Sequence, residues 1–170
     1  MKMRLALPTL LLLTMPALAA DSAVVASPAA AAFERLKTLV GQWNGETSMG
    51  KFHLSYELLS GGHVLLEKES SDSMHGTMVT TYYLNGDRLE LTHHCELGNV
   101  PHMVARKIDL DSGEISFEFA DAANLPSDQS AHMHGATIKI VDADHLNSSW
   151  TMFENAKPKY TVAAQYQRVR

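Results

Sequence analysis

From residue 41 onward the chain alternates apolar and polar positions with a period of two, interrupted at short intervals by glycine, asparagine and aspartate. Phe52, Leu54, Tyr56 and Leu58 alternate with His53, Ser55 and Glu57. Successive side chains of a strand point to opposite faces, so such a segment has one buried and one solvated side. Similar runs occupy 43–49, 63–70, 74–84, 88–97, 102–110, 115–119, 132–141, 146–153 and 160–169. Turn signals separate them: Gly61-Gly62, Asn85-Gly86, Gly98-Asn99, Asp111-Ser112-Gly113, and a longer loop over 121–129 with Pro126. One helical pattern precedes the strands. Phe33, Leu36, Leu39 and Val40 recur at helical spacing within 30–40, and Gly41 stops them.

Ten short strands, each next to its neighbour in sequence, predict an up-and-down antiparallel meander. A meander of this size hides its edges best by closing into a barrel. A sandwich is the alternative, and it usually needs crossovers and longer connections. The predicted fold is therefore all-β: about ten strands in an antiparallel barrel, with a short N-terminal helix near one end.

The first twenty residues carry a different pattern. Met1-Lys2-Met3-Arg4 is basic, residues 5–15 are apolar, and Ala17-Leu18-Ala19 has the small-x-small form of a cleavage site. That order is a secretory signal peptide. The apolar run is shorter than the roughly 20 residues a membrane span needs, so no stable membrane insertion is expected after cleavage. The expected organisation is a signal peptide over 1–20, a flexible Ala-rich spacer over 21–32 and one barrel domain over 33–170, exported to the periplasm or beyond. No Cys follows the cleavage site, so no lipoprotein anchor is expected. Without Lys2 and Arg4 the chain keeps 12 basic and 19 acidic residues, a net charge of −7. That balance disfavours nucleic acid and anionic membranes as partners. Cys95 is the only cysteine, so no internal disulfide forms and the core alone must hold the fold.

A short helix followed by Gly41-Gln42-Trp43 at the first strand resembles the Gly-x-Trp opening of the calycin superfamily, which includes lipocalins, fatty-acid-binding proteins and nitrobindins. The resemblance implies that Trp43 plugs one end of a barrel. It also implies an Arg of the last strand packed over the Trp, for which Arg168 and Arg170 are the candidates. Tyr83-Leu84-Asn85-Gly86-Asp87, Leu91-Thr92-His93-His94-Cys95, Asn99 to Met103, His132-Met133-His134 and Val141 to His145 resemble segments of uncharacterised bacterial exported proteins with a lipocalin-like barrel. That family implies fold and compartment but no activity. Nitrobindins bind haem through a His on the final strand. The final strand here, 160–170, has no His, so haem binding by that route does not carry over.

Nine histidines are the unusual feature of the composition. Alternation puts His93 and Cys95 with Leu89 and Leu91 on an apolar face, and His94 on the polar one. Without a bulge, His132 and His134 share a face with Ala136, Ile138 and Ile140. His102 shares one with Val104 and Ile108. Four histidines and one cysteine are thus candidates for a single cavity. Three readings stay open: buried imidazoles that find hydrogen bonds, a polar patch orienting a small ligand, or a metal site. The metal reading rests on spacing, since His93/Cys95 and His132/His134 are i, i+2 pairs that can converge on Zn²⁺ or Cu²⁺. His53, His63 and His145 read as surface residues, and His75 as a residue near a barrel mouth. Glu67 and Glu69 lie opposite Val64 and Leu66 and read as an exposed face; turned inward, Glu67 becomes a candidate base. Met74, Met78, Met103, Met133 and Met152 suit either core filling or an adaptable pocket.

The first functional expectation is an exported binding protein for a small apolar or aromatic molecule. Its expected lining is Phe52, Leu54, Tyr56, Leu91, His93, Phe117, His132, His134 and Trp150, with His102 as a further ligand-binding candidate. The second is an isomerase or hydrolase with His93 or His134 as general base. The third is a metal-binding protein using His93, Cys95, His132 and His134.

Overall fold

The computed structural model describes residues 26–47 and 49–170. The segment read as a signal peptide and the first residues of the spacer lie outside them. Helix α1 (Pro28–Lys37) leads into ten strands: β1 (Gly41–Thr47), β2 (Gly50–Leu59), β3 (Val64–Ser71), β4 (Met78–Asn85), β5 (Arg88–His94), β6 (Val100–Asp109), β7 (Glu114–Ala123), β8 (His132–Ile140), β9 (His145–Glu154) and β10 (Lys157–Arg168). Each strand pairs antiparallel with the next, and β1 pairs with β10, so the sheet is a closed barrel. Closure leaves no edge unpaired, which is the physical advantage a ten-strand meander gains from it.

The helix starts earlier than its apolar spacing suggests. Ser27 caps it, accepting from the Ala30 amide at 3.2 Å, and Pro28 fills the first turn, where no amide donor is needed. Pro28 and Ala29, expected to belong to the spacer alone, are therefore helical with Ala30 to Ala32, and Ala29 and Ala32 are buried. Their small side chains let the helix approach the barrel closely.

Helix α1 packs against β4, β5 and β6 and covers one end of the barrel. Phe33 and Leu36 of the helix, Leu39, and Trp43 of β1 are 2 % exposed or less. The Trp43 indole donates to the Leu39 carbonyl at 2.8 Å. The Arg168 guanidinium lies 4.2 Å from the centre of the Trp43 ring and donates to the carbonyls of Thr38, Val40 and Ala143. Of the two arginine candidates, Arg168 occupies this place, while Arg170 pairs with Asp144. Gly113, in the turn after β6, has φ +75 and sits under the Arg35 side chain and the Ile140 carbonyl. Any side chain there would clash and would also strain the left-handed backbone.

Two local departures from alternation decide which side chains face inward. In β8, Met133 pairs with Met152 and Gly135 with Thr151, so His134 is an extra residue with no partner. This bulge shifts the phase. Ala136, Ile138 and Ile140 face inward beyond it and Met133 before it, which puts His132 and His134 on the outer wall and corrects the expectation of an inward pair. In β6, Met103 pairs with inward Leu91 and His102 with Thr92, so His102 also faces outward.

Candidate functional site

Register lays the inward side chains of β3, β4 and β5 in ranks. Leu65, Tyr82 and Leu91 form the rank nearer the helix; Glu67, Thr80 and His93 form the next; Glu69 and Met78 lie nearer the open mouth. Directly paired side chains in a sheet have Cβ atoms about 4.5–5.5 Å apart, so each rank is a row of touching groups. On these three strands an apolar rank near the helix gives way to a polar middle rank.

The middle row is buried and largely satisfied. Tyr82 donates its hydroxyl to Glu67 at 2.9 Å, and the Tyr56 hydroxyl is a second partner of that carboxyl. Burial raises the Glu67 pKa, against the two tyrosine hydrogen bonds. Burial likewise raises Tyr56 and Tyr82, with the Glu67 charge adding to it. Glu67 and Glu69 thus face inward, not outward as expected. Leu65, at the same parity, is fully buried beside them.

His93 sits at the edge of this row, 3 % exposed. Its Nδ1 is 2.9 Å from the Thr80 hydroxyl, and its ring lies 4.9 Å from that of Trp150. Its Nε2 is buried without a hydrogen-bond partner. Burial, with a smaller contribution from His94, lowers the imidazole pKa to about 4. Above it, burial and the neighbouring Glu67 push the Glu69 carboxyl up to about 8. Both groups are therefore neutral at pH 7.

These groups line a cavity of about 130 Å³ toward the end of the barrel opposite the helix. Phe52, Trp150, Met49, Met74, Met78, Met133 and Met152 supply most of its wall, with Glu69, His93, Cys95, Ser148 and Tyr166 as the inner polar groups. Tyr166 reaches into the barrel over Gly45, where a methyl group would lie 2.5 Å from its ring. Met103 is instead packed in the core. Of the side chains expected to line a pocket, Phe52, His93 and Trp150 do so. Leu54, Tyr56, Leu91 and Phe117 are buried deeper in the core, with Phe117 packed against Tyr82 at 5.9 Å between ring centres.

The remaining histidines are elsewhere. His102 bridges Glu90 at 3.0 Å and Asp121 at 3.2 Å on the outer wall. His134 is stacked between Phe119 and Phe153, and its Nδ1 is 2.9 Å from His132 Nε2. His132 Nδ1 donates to the Ser130 carbonyl at 2.7 Å. This pair lines a separate surface pocket with Leu125 and Ala122 and shares no residue with the interior cavity. Burial and His132 lower the His134 pKa. The expected convergence of His93, Cys95, His132 and His134 on one ion does not occur. Among the described residues, no group of three or more His, Cys, Asp or Glu is placed to hold a metal. His53, His63, His75 and His145 are exposed. A larger concavity of about 1030 Å³ on the outer wall is lined by solvated side chains such as Asn44, Lys51, Lys139 and Gln165, and holds no buried unpartnered group.

Among the described residues, no helix is long and apolar enough to cross a membrane. No protein-family model matches the chain, and no curated protein matches it. Among solved structures it is similar to a protein of unknown function from the DUF3598 family of Nostoc punctiforme, at 13 % sequence identity and a TM-score of 0.52 over 79 % of this chain. The chain spans 48 % of the length of that protein. A likeness at this identity is one of fold alone: a β-barrel whose function must be argued from its own site.

Proposed function

We propose that this chain is an exported binding protein that takes a small apolar or aromatic molecule, of about one ring, into the cavity at the uncapped end of the barrel. The observation that carries the reading is the void itself. Five methionines, Phe52 and Trp150 stop short of one another around about 130 Å³. A dry cavity of about 150 Å³ accommodates benzene, and flexible Met side chains adapt to ligands of varied shape. Ten strands also enclose more interior than the eight that side chains can just fill.

The pKa of His93 does not favour it as a general base. A general base works best with a pKa near the ambient pH, and His93 protonates only near pH 4. Export is supported by the basic, apolar and small-residue order of residues 1–20.

The purified chain should quench or shift its tryptophan emission, through Trp150, when titrated with one-ring aromatics. Absence of any response, and of any calorimetric heat, at millimolar concentrations of several such ligands would reject the proposal. Cell fractionation with N-terminal sequencing tests export separately: the periplasmic form should begin at Ala20 or Asp21.

A further inference from the structure

We infer that the ligand of this cavity is a neutral hydroxylated ring, a phenol, whose hydroxyl seats on His93 Nε2 while the ring lies among the methionines and Trp150. This deepens the binding reading and rests on it.

Among the fully buried side-chain atoms of the cavity wall, one has no hydrogen-bond partner. His93 is almost fully buried, Thr80 engages its Nδ1, and its Nε2 has no partner. A buried polar nitrogen left unpaired is unfavourable, so a group entering the cavity gains most by pairing with it. The contact with Thr80 permits two tautomers. If the threonine hydroxyl donates, Nδ1 accepts and Nε2 carries the proton. If Nδ1 donates, Nε2 is a bare acceptor. A hydroxyl is the smallest group that serves either, because it both donates and accepts.

Charge narrows the class further. The lining contains no Lys or Arg, and its titratable side chains include Glu69 and, at the rim, Glu96. A carboxylate ligand would enter a low-dielectric space beside these acids with no cation to meet it. An ammonium would have to leave water for a wall whose inner carboxyl, Glu69, keeps its proton at neutral pH. The size of the void limits the apolar part to about one ring, as benzene fills a comparable cavity.

The test compares toluene and phenol, which have equal numbers of heavy atoms, with benzoate and benzylamine as charged controls, by calorimetry on the mature chain at pH 7. Phenol should bind about tenfold more tightly than toluene, the difference one buried hydrogen bond makes, and the charged rings should bind worst. In His93→Phe the phenol preference should vanish while toluene still binds. Because that variant could fail to fold, ¹⁵N resonances of the unaltered protein give a second readout: phenol should shift His93 Nε2 and toluene should not. Equal affinities for phenol and toluene, a tighter charged ligand, or an unmoved Nε2 resonance overturns the inference and leaves the binding reading standing. If none of the rings binds, both fall.

Discussion

The two ends of this barrel solve opposite problems with the same sheet. At the helix end, Trp43, Leu36, Leu39 and Phe33 are packed without exposure, and the charged group over Trp43, Arg168, has its donors distributed over three backbone carbonyls and its face against an indole. At the open end the side chains are flexible methionines, the polar groups are neutral by burial, and one imidazole nitrogen has no partner. One end has its polar groups paired within the fold; the other keeps a buried imidazole nitrogen unpaired beside a cavity. On the proposed reading, stability and binding are placed at opposite ends of one domain, where each can be altered with little effect on the other.

The contrast predicts unequal costs for similar changes. Trp43→Ala removes the largest buried ring, the Arg168 contact and a hydrogen bond at once, and should cost about 3–5 kcal/mol, read as a fall in the urea midpoint with unchanged slope. Leu36→Ala and Met152→Ala remove side chains of similar size from the two ends. Leu36→Ala should cost about 3–4 kcal/mol and Met152→Ala about 2 kcal/mol, because a cavity already borders the methionine and fewer contacts are lost. Equal losses at the two ends would abolish the distinction. The smallest effect is at the helix cap, where Ser27→Ala should cost about 1 kcal/mol.

The open end should also contribute to the response to pH. Glu69 holds its proton up to about pH 8 in the folded chain, against an ordinary value of 4.5. Between these values the unfolded state binds fewer protons than the folded one, so stability from this group is full below pH 4.5 and is lost as pH rises toward 8. Glu69→Gln should remove this loss, leaving the melting temperature less sensitive to pH between 5 and 8.5 than in the parent. His93 acts in the other direction. Its folded pKa of about 4 lies below the ordinary 6.5, so its contribution is present above 6.5 and is lost as pH falls through 4. Melting curves of the parent and Glu69→Gln across pH 3.5 to 9 separate the alkaline and acid limbs.

The sequence was legible wherever structure follows from neighbours along the chain. All ten strands lie where two-residue alternation and turn residues put them, and Trp43 and the last-strand arginine meet as the Gly-x-Trp resemblance implied. It was misleading wherever a single residue shifted the phase or a partner came from another strand. His134 is one extra residue in β8, and it turns both histidines of that strand away from the cavity. Nothing in His132-Met133-His134 itself announces a bulge. Glu67 and Glu69 lie on a strand with apolar residues on both faces, so alternation does not choose between them. The choice is made by Tyr56 from β2 and Tyr82 from β4, whose hydroxyls make a buried carboxyl tolerable.

The amino-acid sequence alone therefore determined the number of strands, their order and the closing of the sheet, since each depends on a local period and on turns a few residues long. Only the tertiary structure decided which polar groups share a cavity and which stand apart, since this depends on register across strands distant in sequence. His93 and Glu69 were separated along the chain and are brought to one cavity wall. His93 and His134 seemed to belong together and are divided by the barrel wall, because one inserted residue reverses inside and outside.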